Sequence, residues 1–313
     1  MPNFKKVLIT STSFSKVDKE PIYLLQRYNF KIFFKKGPFS DEELAHNVGN
    51  FDAIIIGNDI VGKNTIEEQK NLKVIVKHGI GIDNINIDLA KKAGIKVISA
   101  PHTNAVAVAE HVFACLLCLI RNVCKSQQSL LEGKWEGSDF MGTELCDKTL
   151  GIIGSGCIGQ NVARIGNGFG MKIVYFDIIK CSKIEKYFGA KFMNLKEILY
   201  FADVITIHIP LLPSTKGLIG AKEISMMKPE AYLINMSRGG IIDEEALYRA
   251  LVCKKIKGAV LDVFEIEPVN KEEPMLRLSN ILCTPHTAGY TVESVKRTSI
   301  VVAQKLIEEL SKI

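Results

Sequence analysis

Ten short runs rich in β-branched and other apolar residues recur along the 313-residue chain, separated by segments with helical patterning. Four lie in the first third: VLIT (7–10), AIIIG (53–57), KVIVK (73–77) and KVIS (96–99). Six follow: TLGIIG (149–154), KIVYF (172–176), DVITIHI (203–209), AYLIN (231–235), IKGAVLDVF (256–264) and NILCTP (280–285). A strand with one wet face alternates apolar and polar residues, whereas these runs are apolar at nearly every position. Both faces of their sheets must therefore be covered, which strands alternating with helices achieve as parallel, doubly wound sheets. The expected fold class is α/β with two such domains. A helical pattern over 104–125 and an irregular stretch over 132–144 separate the two strand sets. A ligand is expected in a cleft between the domains. The last pattern, over 292–313, places Val295, Ile300, Ala303, Ile307 and Leu310 at helical spacing, but periodicity does not say what that helix packs against.

Composition narrows the function classes. An apolar content of 47% supplies substantial cores, and the net charge of +6 comes from 33 lysines and 7 arginines scattered among acids. That is a solvated, lysine-rich surface rather than a nucleic-acid footprint. The apolar run at 7–9 is too short for a secretory signal, and the apolar segment 105–120 is interrupted by Glu110 and His111 and falls short of the roughly 20 residues that span a bilayer. A cytoplasmic protein with no membrane or nucleic-acid partner is expected. The eight cysteines form no paired framework, as suits reduced thiols. Cys115 and Cys118 make a Cys-x-x-Cys inside an apolar helical pattern without a second pair, so core packing is expected there and no metal.

Gly154, Gly156 and Gly159 stand in the loop GSGCIG, directly after an apolar run and at the start of a helical pattern. The first glycine permits a tight turn, the second lets a pyrophosphate approach the backbone, and the third allows helix and strand to pack closely. The helix N-terminus then offers free N–H groups to the phosphates. Asp177 follows the next strand 18 residues after Gly159, where a carboxylate receives ribose hydroxyls and repels a 2′-phosphate. Ile178, Ile179 and Lys180 come next with no arginine nearby, which favours NAD over NADP. An FAD protein can begin with the same fingerprint but usually carries it at the N-terminus, whereas here a whole domain precedes it.

Downstream, NMSRGGIIDEEAL (235–247), GAVLDVFEIEP (258–268) and TPHTAG (284–289) each fall at or just beyond a strand end. With HIPLLPSTKGLI (208–219), HGIGIDNI (78–85), NAVAVAE (104–110) and GKW (133–135), they resemble the D-isomer-specific 2-hydroxyacid dehydrogenases over nearly the whole chain. The resemblance implies three catalytic residues. Reduction of a 2-keto acid needs a hydride at the carbonyl carbon and a proton at its oxygen, and histidine supplies that proton near neutral pH. His286 is implied as this acid and base, Glu267 as its hydrogen-bond partner, and Arg238 as the cation that binds the substrate carboxylate or carbonyl oxygen.

The same resemblance implies cofactor contacts from Cys157, Ile158, Ile209, Pro210, Met236, Ser237 and Gly289, with Asp262 beside the nicotinamide. Many relatives carry a basic or polar residue where Cys157 stands, so pyrophosphate binding here is expected to rely on backbone donors. Lys77, His78, Gly79, Ile80 and Gly81 match a loop whose N–H groups hold the substrate carboxylate, with Lys77 adding a cation and His78 open to a structural role instead. Asn104 resembles a position at the domain junction. Implied too are a flavodoxin-like substrate domain (1–99 plus 288–313), an inserted Rossmann NAD domain (100–287), and a homodimer built around the apolar helix near 105–120.

The substrate stays open among small anionic 2-hydroxy and 2-keto acids. 3-Phosphoglycerate leads, through KHGIGIDNI, LLPSTKGLI and the DVFE segment, and would place the chain in serine biosynthesis. Glyoxylate or hydroxypyruvate reductase, D-lactate dehydrogenase and phosphonate dehydrogenase share the core and remain alternatives. With 27 residues after His286, a C-terminal regulatory domain and serine feedback are not expected. An NAD-sensing corepressor is the alternative from another class, although no recruitment segment is evident.

Overall fold

The computed structural model describes residues 4–312, so the outermost positions of the expected substrate domain, 1–3 and 313, lie outside the described residues. The chain forms two units, Met1–Asn104 with Tyr290–Ile313, and Ala105–Gly289.

The first unit runs β1 (Lys5–Ile9), α1 (Glu20–Arg27), β2 (Phe30–Phe34), α2 (Asp41–Val48), β3 (Ala53–Ile56), α3 (Lys63–Glu67), β4 (Val74–Lys77), α4 (Ile87–Lys92) and β5 (Lys96–Ile98). Its strands pair in parallel in the order β2-β1-β3-β4-β5. Successive residues of one strand enter different cores: Val74 and Val76 join one cluster while Ile75 joins the cluster on the other face. That is why the run is apolar at every position. Ser40 caps α2, receiving the Glu43 N–H while Glu43 returns a bond to the Ser40 N–H, and Asn86 caps α4.

The second unit begins with α5 (Ala105–Ile120) and α6 (Val123–Leu131), then β6 (Thr149–Ile153), α7 (Cys157–Gly168), β7 (Lys172–Phe176), α8 (Ser182–Phe188), β8 (Lys191–Phe192) and α9 (Leu195–Phe201). It continues through β9 (Val204–Ile207), α10 (Ala221–Met226), β10 (Tyr232–Asn235), α11 (Glu244–Val252), β11 (Gly258–Leu261) and β12 (Ile281–Cys283). The sheet order is β12-β11-β10-β9-β6-β7-β8, again with parallel pairing. The sheet lies between two cores, one around Ile152, Val162 and Ile234 and the other around Ile153, Ile205 and Leu233.

Three features differ from the sequence expectation or extend it. The helical pattern over 104–125 is broken: Asn122 takes φ +52°, and α5 and α6 meet at a 54° bend. Asparagine tolerates the left-handed region, so the break falls at a residue suited to it. Strands β2 and β8 fall outside the ten apolar runs; both are edge strands, with Lys31 and Phe34 of β2 and both residues of β8 exposed. The terminal helix α12 (Val292–Leu310) buries Val302, Ala303, Leu306, Ile307 and Leu310 in the first unit's core with Val7, Ile9 and Val74. Among the described residues no single helix is long and apolar enough to cross a membrane.

Candidate active site

The glycine loop turns where β6 ends, at the point where the chain stops adding strands on one side (β7, β8) and starts adding them on the other (β9 onward). Such a switch point opens a crevice at the carboxyl ends of the strands. Gly154 has φ +100°, and a Cβ there would lie 2.5 Å from the His208 carbonyl oxygen. A Cβ on Gly159 would lie 2.1 Å from the Gly154 carbonyl oxygen, so α7 packs on the loop at a distance open only to glycine. At the N-cap of α7, Gly156 faces open space, leaving the helix's first N–H groups accessible to a phosphate.

Asp177 follows β7. Its Oδ2 accepts from Ser155 twice, from the backbone N–H at 2.6 Å and from Oγ at 2.8 Å, and its Oδ1 accepts the Ile178 N–H at 2.7 Å. Burial pushes this carboxyl's pKa up, but the Ser155, Ile178 and Ile179 donors outweigh it and hold the group below its usual range. Ile209 and Pro210 follow β9, and Met236 and Ser237 follow β10, all at this same edge of the sheet.

Arg238, Glu267 and His286 come from the ends of β10, β11 and β12, which are adjacent strands. Buried Asn235 builds the arginine turn: its Oδ1 accepts from Ser237 N (3.0 Å) and Oγ (2.8 Å), and its Nδ2 donates to Arg238 O (2.8 Å). Glu267 accepts the Phe264 N–H on Oε1 at 3.0 Å and pairs through Oε2 with His286 Nδ1 at 2.7 Å. Burial raises the Glu267 carboxyl, but hydrogen bonding and charge from His286, the Phe264 N–H and the Arg238 charge override it and hold the pKa below its ordinary value. With Nδ1 engaged by the carboxylate, Nε2 is the imidazole nitrogen left to face a substrate.

His286 sits at φ +54°, and its own N–H donates to Asp262 O (2.9 Å) and Thr284 O (3.0 Å). The Asp262 carboxylate, 1% exposed, anchors this turn. Oδ1 accepts from Thr284 Oγ1 (2.5 Å) and Thr287 N (2.8 Å), and Oδ2 from Ala288 N (2.9 Å). Asp262 is expected beside the nicotinamide; here both of its oxygens hold the segment that carries His286, which runs on to Gly289 at the end of the unit. His111 on α5 joins from behind, with Nε2 3.2 Å from Thr284 Oγ1.

The loop after β4 belongs to the first unit. Buried Lys77 turns its ammonium to the Gly57 carbonyl and to Asn84 Oδ1. His78 has both ring nitrogens engaged, Nδ1 with Ser13 Oγ and Nε2 with Ser299 Oγ, each at 2.9 Å, and its ring meets Phe14 edge-on. Gly79 (φ +155°) accepts the Ala100 N–H, and Ile80 and Gly81 complete the loop, partly buried. Asn104 ends the first segment of this unit, with its Oδ1 buried and lacking a hydrogen-bond partner among the described residues.

Residues 113–288 match the D-isomer specific 2-hydroxyacid dehydrogenase, NAD binding domain. Hydroxypyruvate reductase of Thermotoga maritima is 38% identical over 297 residues, covering 94% of this chain and 96% of that protein. The chain belongs to the D-isomer-specific 2-hydroxyacid dehydrogenase family.

Another dehydrogenase of this group, D-3-phosphoglycerate dehydrogenase of Archaeoglobus fulgidus, is 36% identical over 292 residues, 93% of this chain but 55% of that protein. The chain thus spans about half the length of the phosphoglycerate dehydrogenases it matches. Among solved structures, the TT0316 protein of Thermus thermophilus superposes with a TM-score of 0.89 at 30% identity, covering 98% of this chain and 97% of that one. NAD is the cofactor of the matched domain, and the residues present fit it: a helix N-terminus open at Gly156, a cradle that a Cβ on Gly154 or Gly159 would fill, and an ionised Asp177.

Several residues that shape the site carry no signal of their own in the sequence. Ser155 occupies a variable position of the fingerprint, yet it holds Asp177. Asn235 and Thr284 were visible inside motifs but carried no signal of their bonding. The His208 ring is buried, bonded on Nε2 to Thr206 Oγ1 at 2.8 Å, and its Nδ1 lacks a partner among the described residues.

Proposed function

We propose that this chain interconverts a D-2-hydroxy acid and its 2-keto acid with NAD. The observation that carries the proposal is the 2.7 Å pair between His286 Nδ1 and Glu267 Oε2, with the Arg238 charge acting on the same carboxylate. NAD, when bound, supplies or takes up the hydride. In reduction, His286 donates the Nε2 proton to the carbonyl oxygen, and Glu267 stabilises the imidazolium before the transfer and orients the ring throughout. Arg238 binds the substrate carboxylate or the developing alkoxide. In oxidation, neutral Nε2 accepts the hydroxyl proton. The loop of Lys77, His78, Gly79, Ile80 and Gly81 receives the carboxylate through backbone N–H groups. Lys77 contributes field rather than contact, because its ammonium already has protein acceptors.

The phosphoglycerate dehydrogenases among the relatives keep 3-phosphoglycerate in view, and the end-to-end match to a hydroxypyruvate reductase sets the unphosphorylated acid beside it. A panel of 2-keto and 2-hydroxy acids that includes both, followed through nicotinamide absorbance with NAD and NADP, tests the reading. Turnover of at least one member with NAD is expected. No turnover of any member, with NAD still bound, would sink it in favour of an NAD-sensing role.

A homodimer fits the apolar residues left in water on α6 and beyond it, Leu130, Leu131, Trp135 and Met141, better than α5, which is mostly buried within its own unit. Sedimentation of the wild type against Trp135→Glu tests this. The eight free cysteines fit a reducing compartment such as the cytoplasm.

A further inference from the structure

The loop that follows β10 carries more than Arg238. Parallel pairing of β10 with β11 aligns Asn235 with Leu261, so the loops after these strands leave the sheet side by side. Gly239 is where they touch. A Cβ there would stand 2.0 Å from both the carbonyl carbon and the oxygen of Phe264 and 2.4 Å from Glu265 N, three atoms of one peptide group. Gly239 takes no left-handed φ, so the demand for glycine here is for space alone. Backbone lies on backbone, at a distance that any larger residue would open.

The far end of the same loop holds the same peptide. Asp243 caps α11 by accepting the Ala246 N–H at 2.9 Å. The segment before it is tied to 217–219 by Gly217 N to Gly240 O (2.8 Å) and Asp243 N to Ile219 O (3.0 Å). Glu244 opens α11 from this anchored cap, and its Oε1 accepts the Glu265 N–H at 2.6 Å. Burial raises the Glu244 pKa; the Glu265 N–H opposes that rise, and the charges of Glu265, Glu273 and Glu267 add to it. Charge is therefore disfavoured at this position, and what Glu244 contributes is an acceptor. The peptide so held begins at Phe264, whose own N–H donates to Glu267 Oε1 at 3.0 Å. A shift of the Phe264–Glu265 peptide thus carries Glu267 with it, and with Glu267 its 2.7 Å pair with His286.

We propose that Gly239 and Glu244 are positioning residues that clamp the Phe264–Glu265 peptide at two points and so set Glu267 against Arg238 and His286. Gly239 lets the peptide come close to the arginine turn, and the bond to Glu244 keeps it from drifting away. The consequence for turnover rests on the dehydrogenase reading given above, whereas the clamp itself is a matter of geometry and is read without turnover.

The test uses the full chain with NADH and hydroxypyruvate, 3-phosphohydroxypyruvate, glyoxylate and pyruvate. Turnover is referred to NADH sites counted by fluorescence titration, so that unfolded protein does not enter kcat. Gly239→Ala must open the contact by about 1 Å, and kcat should fall by about a hundredfold while NADH affinity stays within about threefold. Glu244→Ala should lower kcat by about tenfold and speed hydrogen exchange at the Glu265 amide by about tenfold. Glu244→Gln keeps an acceptor without the charge, so kcat and exchange should return to within about threefold of the wild type. If Gly239→Ala does not fold, the two Glu244 variants decide by themselves. The proposal is overturned if Glu244→Ala keeps wild-type kcat, if Glu244→Gln is as impaired as Glu244→Ala, or if the Glu265 amide exchanges alike in all three proteins. If the wild type reduces none of the four acids, the dehydrogenase reading fails, and exchange at Glu265 still upholds or overturns the clamp.

Discussion

Replacing Gly159 by alanine sets two effects of opposite sign against each other in one residue. Gly159 is the third residue of the 12-residue helix α7, where alanine is intrinsically preferred over glycine by about 1 kcal/mol. Against that, its Cβ would stand 2.1 Å from the Gly154 carbonyl oxygen, whereas real Cβ atoms keep at least 3.0 Å, so helix and loop must part by about 1 Å. The obstructing atom is backbone, which has little freedom to yield, so the overpacking penalty belongs at the upper end of its range of about 1–3 kcal/mol. The net effect expected is a destabilisation of about 2 kcal/mol, or a fall in Tm of roughly 4–8 °C for a unit of this size. The retreat also carries the phosphate-facing N–H groups of α7 away from their place, so NAD should bind at least about tenfold more weakly. Gly168→Ala is the control: it ends the same helix with nothing within 4 Å of its Cβ, so propensity acts alone and Tm should hold or rise. Thermal melts by circular dichroism and titration of NADH fluorescence read both quantities. A Gly159→Ala protein that melts with the wild type and binds NADH within twofold would refute the close-packing argument. So would an equal loss from Gly168→Ala.

His286→Ala should lower turnover by about 10²–10⁴-fold while NAD affinity stays within about twofold; wild-type turnover would remove His286 from proton transfer. Asp177→Ala should weaken NAD by about tenfold and NADP much less, and Ser155→Ala should narrow the NAD-to-NADP affinity ratio several-fold, both read by calorimetry. An unchanged ratio in Ser155→Ala would mean that the Ser155 hydroxyl does not set the carboxylate. Burial pushes the His78 pKa down to about 4 and that of His208 to about 3, against an ordinary imidazole value of about 6.5. Below pH 6.5 the unfolded chain therefore binds protons that the folded chain refuses, so stability falls with falling pH by up to about 1.4 kcal/mol per unit for each histidine. Denaturant midpoints at pH 7 and pH 5 should show the loss, and His208→Gln should remove about half of it; a midpoint independent of pH would contradict the assignment.

How much of this was legible in the sequence depends on the range over which each signal acts. Strands buried on both faces were plain because each residue of a run such as AIII at Ala53–Ile56 enters one of two cores. Edge strand β2 is less plain, because Lys31 interrupts its apolar residues and Lys35 and Lys36 follow them. The bend at Asn122 was hidden because apolar spacing continues across it, while the break is made by one backbone angle. Arg238, Glu267 and His286, the set proposed for catalysis, are suggested by motifs, but composition and spacing alone leave them 29 and 19 positions apart, with no reason to meet.

What the sequence determined by itself is the local machinery: a strand, a glycine turn, a helix start and an acid within about thirty residues, where steric and hydrogen-bonding demands act between chain neighbours. The tertiary structure decided the rest. Sheet order set β10, β11 and β12 side by side and so joined Arg238, Glu267 and His286. It gave α12 a core to cover, turned Asp262 into the anchor of the His286 turn, and brought Thr10, Gly57 and Phe39 to the buried Asp59 carboxylate. Burial and saturation of a polar group are properties of its neighbours in space, and those neighbours exist only once the strands have paired.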